Sequence, residues 1–328
     1  MADTKLYATW KSSGIPIQSD INQQFWGNEY FVDGTNGLDS NRGDRPYRAF
    51  KTIQAAVTKH LADTTSLGDV IRVFPGTYAE SITASSFTNL ALVGVHADAV
   101  IIAPTASHGL LIGTDGATAT TMTNSLIKNI SFLTPSTSNT TYAALTVCYM
   151  TKSVIEDCKF KGTTNTGTGS SATIGLQIGN RTDTAWEFHE HSRISRCEFT
   201  ANAGRTTQVG IGIQVGAHTA ANPEYKGFKS MIIEDCIIGA KDRGIRMCTG
   251  LSSCNGTVIR RNVITGHEGA GVGVGIISKS TDGTDTLTMI LDNRIVAVND
   301  CIQGFSTGNV QGNIVAVNTS GTPAAETA

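Results

Sequence analysis

Short apolar segments alternate with polar bends down most of this chain, and one phrase keeps returning. SLIKNISF (Ser125 to Phe132), SVIEDCKF (Ser153 to Phe160), SRISRCEF (Ser192 to Phe199), MIIEDCII (Met231 to Ile238), TVIRRNVI (Thr257 to Ile264), TMILDNRIV (Thr288 to Val296) and NVQGNIV (Asn309 to Val315) share one pattern of apolar and polar positions. Each copy is too short for a helix and reads as strand, bend, strand. The copies return at irregular steps of roughly 20 to 40 residues, the range of solenoid repeats. A second phrase keeps pace. AALTVCY, IGLQIGN, IGIQVGA, RGIRMCT, GVGIISK and DCIQGFS place Leu145, Leu176, Ile213, Ile245, Ile276 and Ile302 in one apolar column. Two columns in step predict coils of at least two strands, stacked so that a continuous core runs along a rod.

The flanks differ. Residues 1–28 carry little periodicity and read as an extended N-terminal arm. Tyr30 to Val32 reads as a strand, followed by a Gly/Asp/Asn loop and a helix over about residues 50–61. Phe50, Ile53, Val57 and Leu61 share one helical face. Such a helix would plug the open end of a solenoid, which otherwise exposes its core and strand edges. The solenoid is expected over residues 29–318, with a polar C-terminal tail over 319–328 that should fray in isolation.

Aligning the first phrase puts Ile130, Cys158, Cys197, Cys236, Asn262, Asn293 and Asn313 at one position. The cysteines read as small buried fillers. The asparagines read as buried amides that link coil to coil and satisfy backbone groups of the bend. One place earlier stand Asn129, Asp157, Arg196, Asp235, Arg261, Asp292 and Gly312, with charge sign alternating from Asp157 to Asp292. Stacked strands lie about 4.8 Å apart, so opposite charges in register attract. An exposed pair contributes roughly 0–1 kcal/mol, so this ladder is expected to fix register more than stability. The competing reading is a groove in which these charges meet carbohydrate.

Composition narrows the class. The chain has 328 residues, 40% hydrophobic and 16% charged, with net charge −2. The near-neutral balance lacks the basic footprint of a nucleic-acid binder. No apolar run reaches membrane-spanning length. The N-terminus shows no apolar stretch followed by a small-residue cleavage site, so the expectation is a protein made in a cytoplasm without classical secretion. The seven cysteines show no CxxC pair and read as reduced structural residues.

At this point the residues resemble a known superfamily. VDGTNGLDSNRGDRPYRAFKTIQAAV followed by IRVFPGTYAESI resembles the start of pectin-lyase-like right-handed parallel β-helices, and the later bends, with Asn or Cys before an apolar residue, are similar to that superfamily's coils. The resemblance covers roughly residues 29–318. It implies an all-β, single-stranded right-handed parallel β-helix. That superfamily holds pectate lyases, polygalacturonases, other polysaccharide-active enzymes and trimeric spikes and fibres of bacteriophages.

Candidate chemistry is sparse. Glycoside hydrolysis needs two placed carboxylates. Asp242 and Asp300 precede equivalent strands two coils apart, and Glu268 in GHEGAG adds a third. The resemblance implies a Gly-His-Gly motif in polygalacturonases, and GHEGAG departs from it because Glu268 replaces the second Gly. EFHEH (Glu187 to His191) places Glu187, His189 and His191 on one strand face, yet lacks a further anchor, and a packing role outweighs a metal site. DGTNGLDSNRGD has the oxygen-rich look of a calcium loop without the closing Glu of an EF-hand. No metal or cofactor is therefore assigned. Trp186, Tyr225 and Phe228, in two longer loops, are the aromatic candidates for glycan contact.

The functional expectation is a bacteriophage virion structural protein: a head-decoration, spike or fibre protein, built as a homotrimer. It would meet other virion proteins through its arm and tail, with host surface polysaccharide as a further partner. Neither nucleic acid nor membrane is expected as a partner. The alternative is a tailspike-type depolymerase cutting that polysaccharide as a hydrolase or lyase.

Overall fold

The computed structural model describes residues 27–63, 68–104, 107–113, 122–135, 142–163, 173–179, 187–201, 209–216, 226–249, 254, 256–266, 273–278, 288–297 and 300–317. The expected tail, and all but the last two residues of the expected arm, lie outside them.

Strands of two to seven residues run between sharp corners, and each pairs in parallel with its counterpart one coil away. A ten-stranded sheet stacks in chain order from Glu29–Val32 to Val310–Gln311. A nine-stranded sheet runs from Gly76–Tyr78 to Ile314–Val317, an eight-stranded sheet from Ile82–Ala84 to Ile302–Gln303, and a five-stranded sheet from Phe87–Thr88 to Lys226–Lys229. These sheets are the sides of one right-handed parallel β-helix. The apolar column read from the sequence is the observed register, since Leu145, Leu176, Ile213, Ile245, Ile276 and Ile302 pair in succession.

The core is the inside of the rod. Phe132, Phe160 and Phe199 stack at 5.5 Å and 4.6 Å between ring centroids, nearly coplanar at 13° and 10°. Each is fully buried. Burial of such a ring stabilises by about 1.5–3 kcal/mol, and stacking adds roughly 0.5–1.5 kcal/mol. At the corner between the five- and ten-stranded sheets, hydroxyls stack instead. Ser125 N–H donates to Ser153 Oγ at 3.1 Å, and Ser153 N–H to Ser192 Oγ at 3.3 Å.

The helix expected over about 50–61 runs Ile53–Ala62. Phe50 instead bridges to Val32, because Thr52 in extended conformation caps the helix through its side chain, accepting from Ala55 N–H. Glu80, from the coil beneath, also accepts from the N–H groups of Ile53 and Gln54 at 2.8 Å and 3.0 Å. Buried Ile53, Ala56 and Val57 close the first coil. Near the other end of the helix, buried His60 meets Asp69 at 2.7 Å.

Candidate functional site

Two surfaces carry charged side chains in coil-to-coil columns, and they differ. The first is the corner between the ten- and nine-stranded sheets. Asn129, Asp157, Arg196, Asp235, Arg261 and Asp292 all turn this corner with left-handed backbone, φ 51° to 58°, and Gly312 follows at φ 66°. For a residue with a Cβ this conformation costs about 1–2 kcal/mol, and arginine lacks the short polar side chain that eases it for Asn and Asp. Arg196 recovers part of it through a fork: Nε donates to Asp157 Oδ1 at 2.7 Å, and Nη2 to Asp157 Oδ2 at 3.1 Å. Nη2 also reaches Glu156 Oε2 at 2.6 Å. Arg261 repeats the arrangement on Asp235, at 2.8 and 2.9 Å, and on Glu234 Oε2 at 2.8 Å.

Burial alone would raise the Asp157 carboxyl, but Arg196 and Lys128 outweigh it and hold it below the ordinary aspartate value. The Asp235 carboxyl is held low chiefly by Arg261. Among the described residues no ion pair joins Arg196 to Asp235 or Arg261 to Asp292. The column is therefore two forked pairs supported by Glu156 and Glu234, not an unbroken alternation.

The neighbouring column is buried. Cys158, Cys197 and Cys236 give way to Asn262 and Asn293, each about 1% exposed, and then to half-buried Asn313. Asn293 Oδ1 accepts from both the backbone N–H and the amide of Asn262, at 2.9 and 3.0 Å. Asn313 Oδ1 does the same for Asn293, at 2.9 Å each. Each amide also donates to the carbonyl of the coil before, at Ile233, Ile259 and Ile290. Cys148, Cys158, Cys197, Cys236 and Cys301 are free thiols. Cys254 is disulfide-bonded, which corrects the expectation of a fully reduced set. It sits at the turn before Thr257, away from the stacked column.

The second surface is the outer face of the eight-stranded sheet. Register places Thr146, Gln177, Gln214 and Arg246 in one column. Their chain neighbours Leu145, Leu176, Ile213 and Ile245 line the core, so this column points outward. Most of it is nonetheless buried, with Gln177 4% and Gln214 0% exposed, and Arg246 is half-buried. Beside it lies Asp242, 1% exposed, with Oδ2 3.0 Å from Arg243 Nη1. Arg246 Nη1 makes a long contact of 3.4 Å to Gln214 Oε1. Gln177 Nε2 donates to Gly216 O at 2.6 Å. Five polar atoms here have no partner: Gln177 Oε1, Gln214 Nε2, Asp242 Oδ1, Arg243 Nε and Arg246 Nε. Burial raises the Asp242 carboxyl above the ordinary value, with Arg243 and Arg246 pulling the other way. Burial, then Arg243, lowers Arg246, against the opposing pull of Asp242.

Of the expected carboxylate pair, Asp242 is buried and Asp300 is not. Asp300 is exposed and, from the pairing of Ile276 with Ile302, stands level with Val274 and so with Arg243, one place beyond Asp242. Glu268, Trp186 and Tyr225 lie outside the described residues. Phe228 falls on strand Lys226–Lys229 of the five-stranded sheet, paired with His189 on Glu187–Glu190. In the DGTNGLDSNRGD loop the carboxylates are engaged locally. Asp33 accepts from the N–H groups of Thr35 and Asn36, Asp39 from those of Lys51 and Thr52, and Asp44 pairs with Arg48. Among the described residues no three His, Cys, Asp or Glu side chains converge as a metal site. The Gln177, Gln214 and Arg246 column was missed in the sequence, although a polar residue flanked by apolar ones recurs there in IGLQIGN, IGIQVGA and RGIRMCT.

A lacto-N-biosidase of family GH136 from Eubacterium ramulus shares this fold, with TM-score 0.53 and 13% identity, over 88% of this chain and 56% of that one. Pectin methylesterase PemA from Erwinia chrysanthemi gives TM-score 0.44 at 13% identity over 90% of this chain and 91% of its own. Pectin methylesterase from carrot gives 0.44 at 16% over 94% and 91%. At such identities the likeness is one of fold. No protein-family model matches the chain, and no curated protein matches it.

Proposed function

We propose that this chain is a β-helical structural protein of a bacteriophage particle, acting as head decoration, spike or fibre. It contacts host surface glycan along the outer face of its eight-stranded sheet. The observation that carries the glycan contact is the row of buried Gln177, Gln214 and Asp242 beside half-buried Arg243 and Arg246, with its five unpartnered atoms. Buried polar groups are normally satisfied, and those left open mark a place for a polar ligand. The virion assignment rests on the resemblance of the coils to a superfamily that includes phage spikes and fibres. Three copies pack side by side in this reading. Exposed Ile237 and Val263 are neighbours in one register column on the nine-stranded sheet, where exposed Arg294 separates them from exposed Ile314, so every copy offers the same small apolar patch to its neighbours.

One observation favours the depolymerase alternative: a carboxyl whose proton affinity is raised by burial, as at Asp242, is what a general acid requires. Incubating the purified protein with bacterial capsule and lipopolysaccharide separates the two. The expected result is a trimeric mass and glycan binding without new reducing or unsaturated ends. New ends would replace the structural reading with the enzymatic one. A monomer that binds no surface glycan would sink both.

A further inference from the structure

The alternating column at the charged corner is only half used inside one chain. Arg196 forks onto Asp157 and Arg261 onto Asp235. Asp292, exposed at the same corner, has no ion pair among the described residues. Arg196 and Arg261 keep 47% and 45% of their side-chain surface in solvent.

Beside this corner lies an apolar row. On the outer face of the ten-stranded sheet, register places Ile232, Val258 and Met289 in one column, after Arg193. Their chain neighbours Ile233, Ile259 and Ile290 line the core, so the row points outward. Ile232 and Val258 are half-buried, and Met289 is 43% exposed. Glu234 and Arg260, two places further along the same strands, point the same way.

A column of alternating sign complements itself under one kind of symmetry. A twofold axis between two facing sheets, parallel to their strands, reverses the order of coils and keeps each column opposite its own copy. Facing sheets pack about 10 Å apart, within reach of long side chains. Centred on the coil of Asp235, the axis sets that carboxylate against itself and Arg196 against Arg261, so like charges meet. Centred midway between the coils of Glu234 and Arg260, it sets Asp235 against Arg261, Arg196 against Asp292 and Glu234 against Arg260. The same placement lays Ile232 on Val258, and Met289 along the stem of Arg193. One coil towards the N-terminal end, Arg193 would lie on Ile232 instead. One coil the other way, Asp235 would face Gly312. The middle register answers charge with charge and apolar with apolar.

We propose that the ten-stranded face and its corner bind a second copy of this chain, antiparallel, about a twofold axis between the coils of Glu234 and Arg260. Asp292 then pairs with Arg196 of the second copy, and Asp235, Arg261 and their two counterparts form a ring of alternating sign. The face is separate from the patch at Ile237 and Val263, and the pairing does not depend on the glycan contact.

Sedimentation equilibrium of the intact chain over a range of concentrations tests this. The unaltered protein should associate reversibly into an even number of copies. A mass that stays at one copy, or at three, overturns the proposal. Asp292→Arg and Arg196→Asp should each weaken the pairing by about tenfold or more, because like charges then meet twice about the axis. An equal mixture of the two should restore it, since every altered residue then faces its opposite. Mixing does not repair a variant that has merely misfolded. Failure of the mixture to recover overturns the register. Where Arg196→Asp does not fold, Met289→Asp, on an exposed side chain, decides. Undiminished pairing in that variant overturns the proposal, and its loss upholds it.

Discussion

The charged corner and the outer face of the eight-stranded sheet obey the same stacking rule and end differently. At the corner, Asp157 and Asp235 each receive both prongs of an arginine, and Glu156 and Glu234 take up what remains. On the outer face, Arg246 meets an amide oxygen at 3.4 Å and five polar atoms are left open. The corner is also half in water, where gaps cost little, whereas Gln177, Gln214 and Asp242 on the outer face are buried, where gaps cost most. Incomplete pairing at the drier of two sites is the sign that something else completes it.

The largest effect is expected where satisfaction is complete and dry. Asn293→Ala strips partners from the backbone N–H and the amide of Asn262 and from the carbonyl of Ile259. Stranding such groups costs roughly 1–3 kcal/mol each with partial relaxation, so a loss of about 2–4 kcal/mol in urea unfolding is expected. A loss under about 1 kcal/mol would show that the amide ladder does not hold the bend.

Next comes the forked pair. Arg196 and Asp157 keep 47% and 29% of their side-chain surface in solvent. Screening limits Arg196→Gln to about 1 kcal/mol or less, shrinking further in molar salt. A larger, salt-independent loss would move this corner into the class of buried networks.

Acid sharpens the same point. The Asp157 and Asp235 carboxyls are held below their ordinary value in the folded chain. Their contribution is therefore full above about pH 4 and is lost as pH falls below that, while the unfolded chain takes up protons first. Thermal melts from pH 6 down to pH 2.5 should show this decline, and Arg196→Gln should flatten it. An unchanged slope would detach the decline from these pairs.

The smallest effect on stability belongs to the open face. Gln214→Leu removes a side chain whose donor has no partner and whose acceptor has one long contact, so unfolding should move by less than about 0.5 kcal/mol. Sugar affinity should nevertheless fall about tenfold. A large stability loss with sugar affinity intact would erase the contrast between the two surfaces.

Much of the fold was legible because stacking repeats one demand at one phrase position. Leu145, Leu176, Ile213, Ile245, Ile276 and Ile302 were aligned by apolarity alone, and they are the pairs that form. The helix start was misplaced because Phe50 is apolar in both readings, and Thr52 as cap, rather than the apolar period, ends the extended segment. The corner was half legible. Alternating sign marked Asp157 and Arg196, but Glu156 and Glu234 looked like ordinary strand residues until the fork reached them. The site was least legible. Asp242 and Asp300 look equivalent along the chain, yet a one-place difference in register buries the first and exposes the second. The Gln177 to Arg246 column was hidden because outward positions of a strand are read as solvated, and here they are not.

The three stacked cysteines give the rod an internal clock. Cys158, Cys197 and Cys236 occupy consecutive coils at about 1% exposure. Burial, and then the adjacent Cys158, push the Cys197 thiol well above its usual range. A thiol-specific reagent in neutral solution meets no thiolate there while the coils stay closed. The rate at which these sulfurs become labelled thus measures how often the middle of the rod parts, without any engineered reporter.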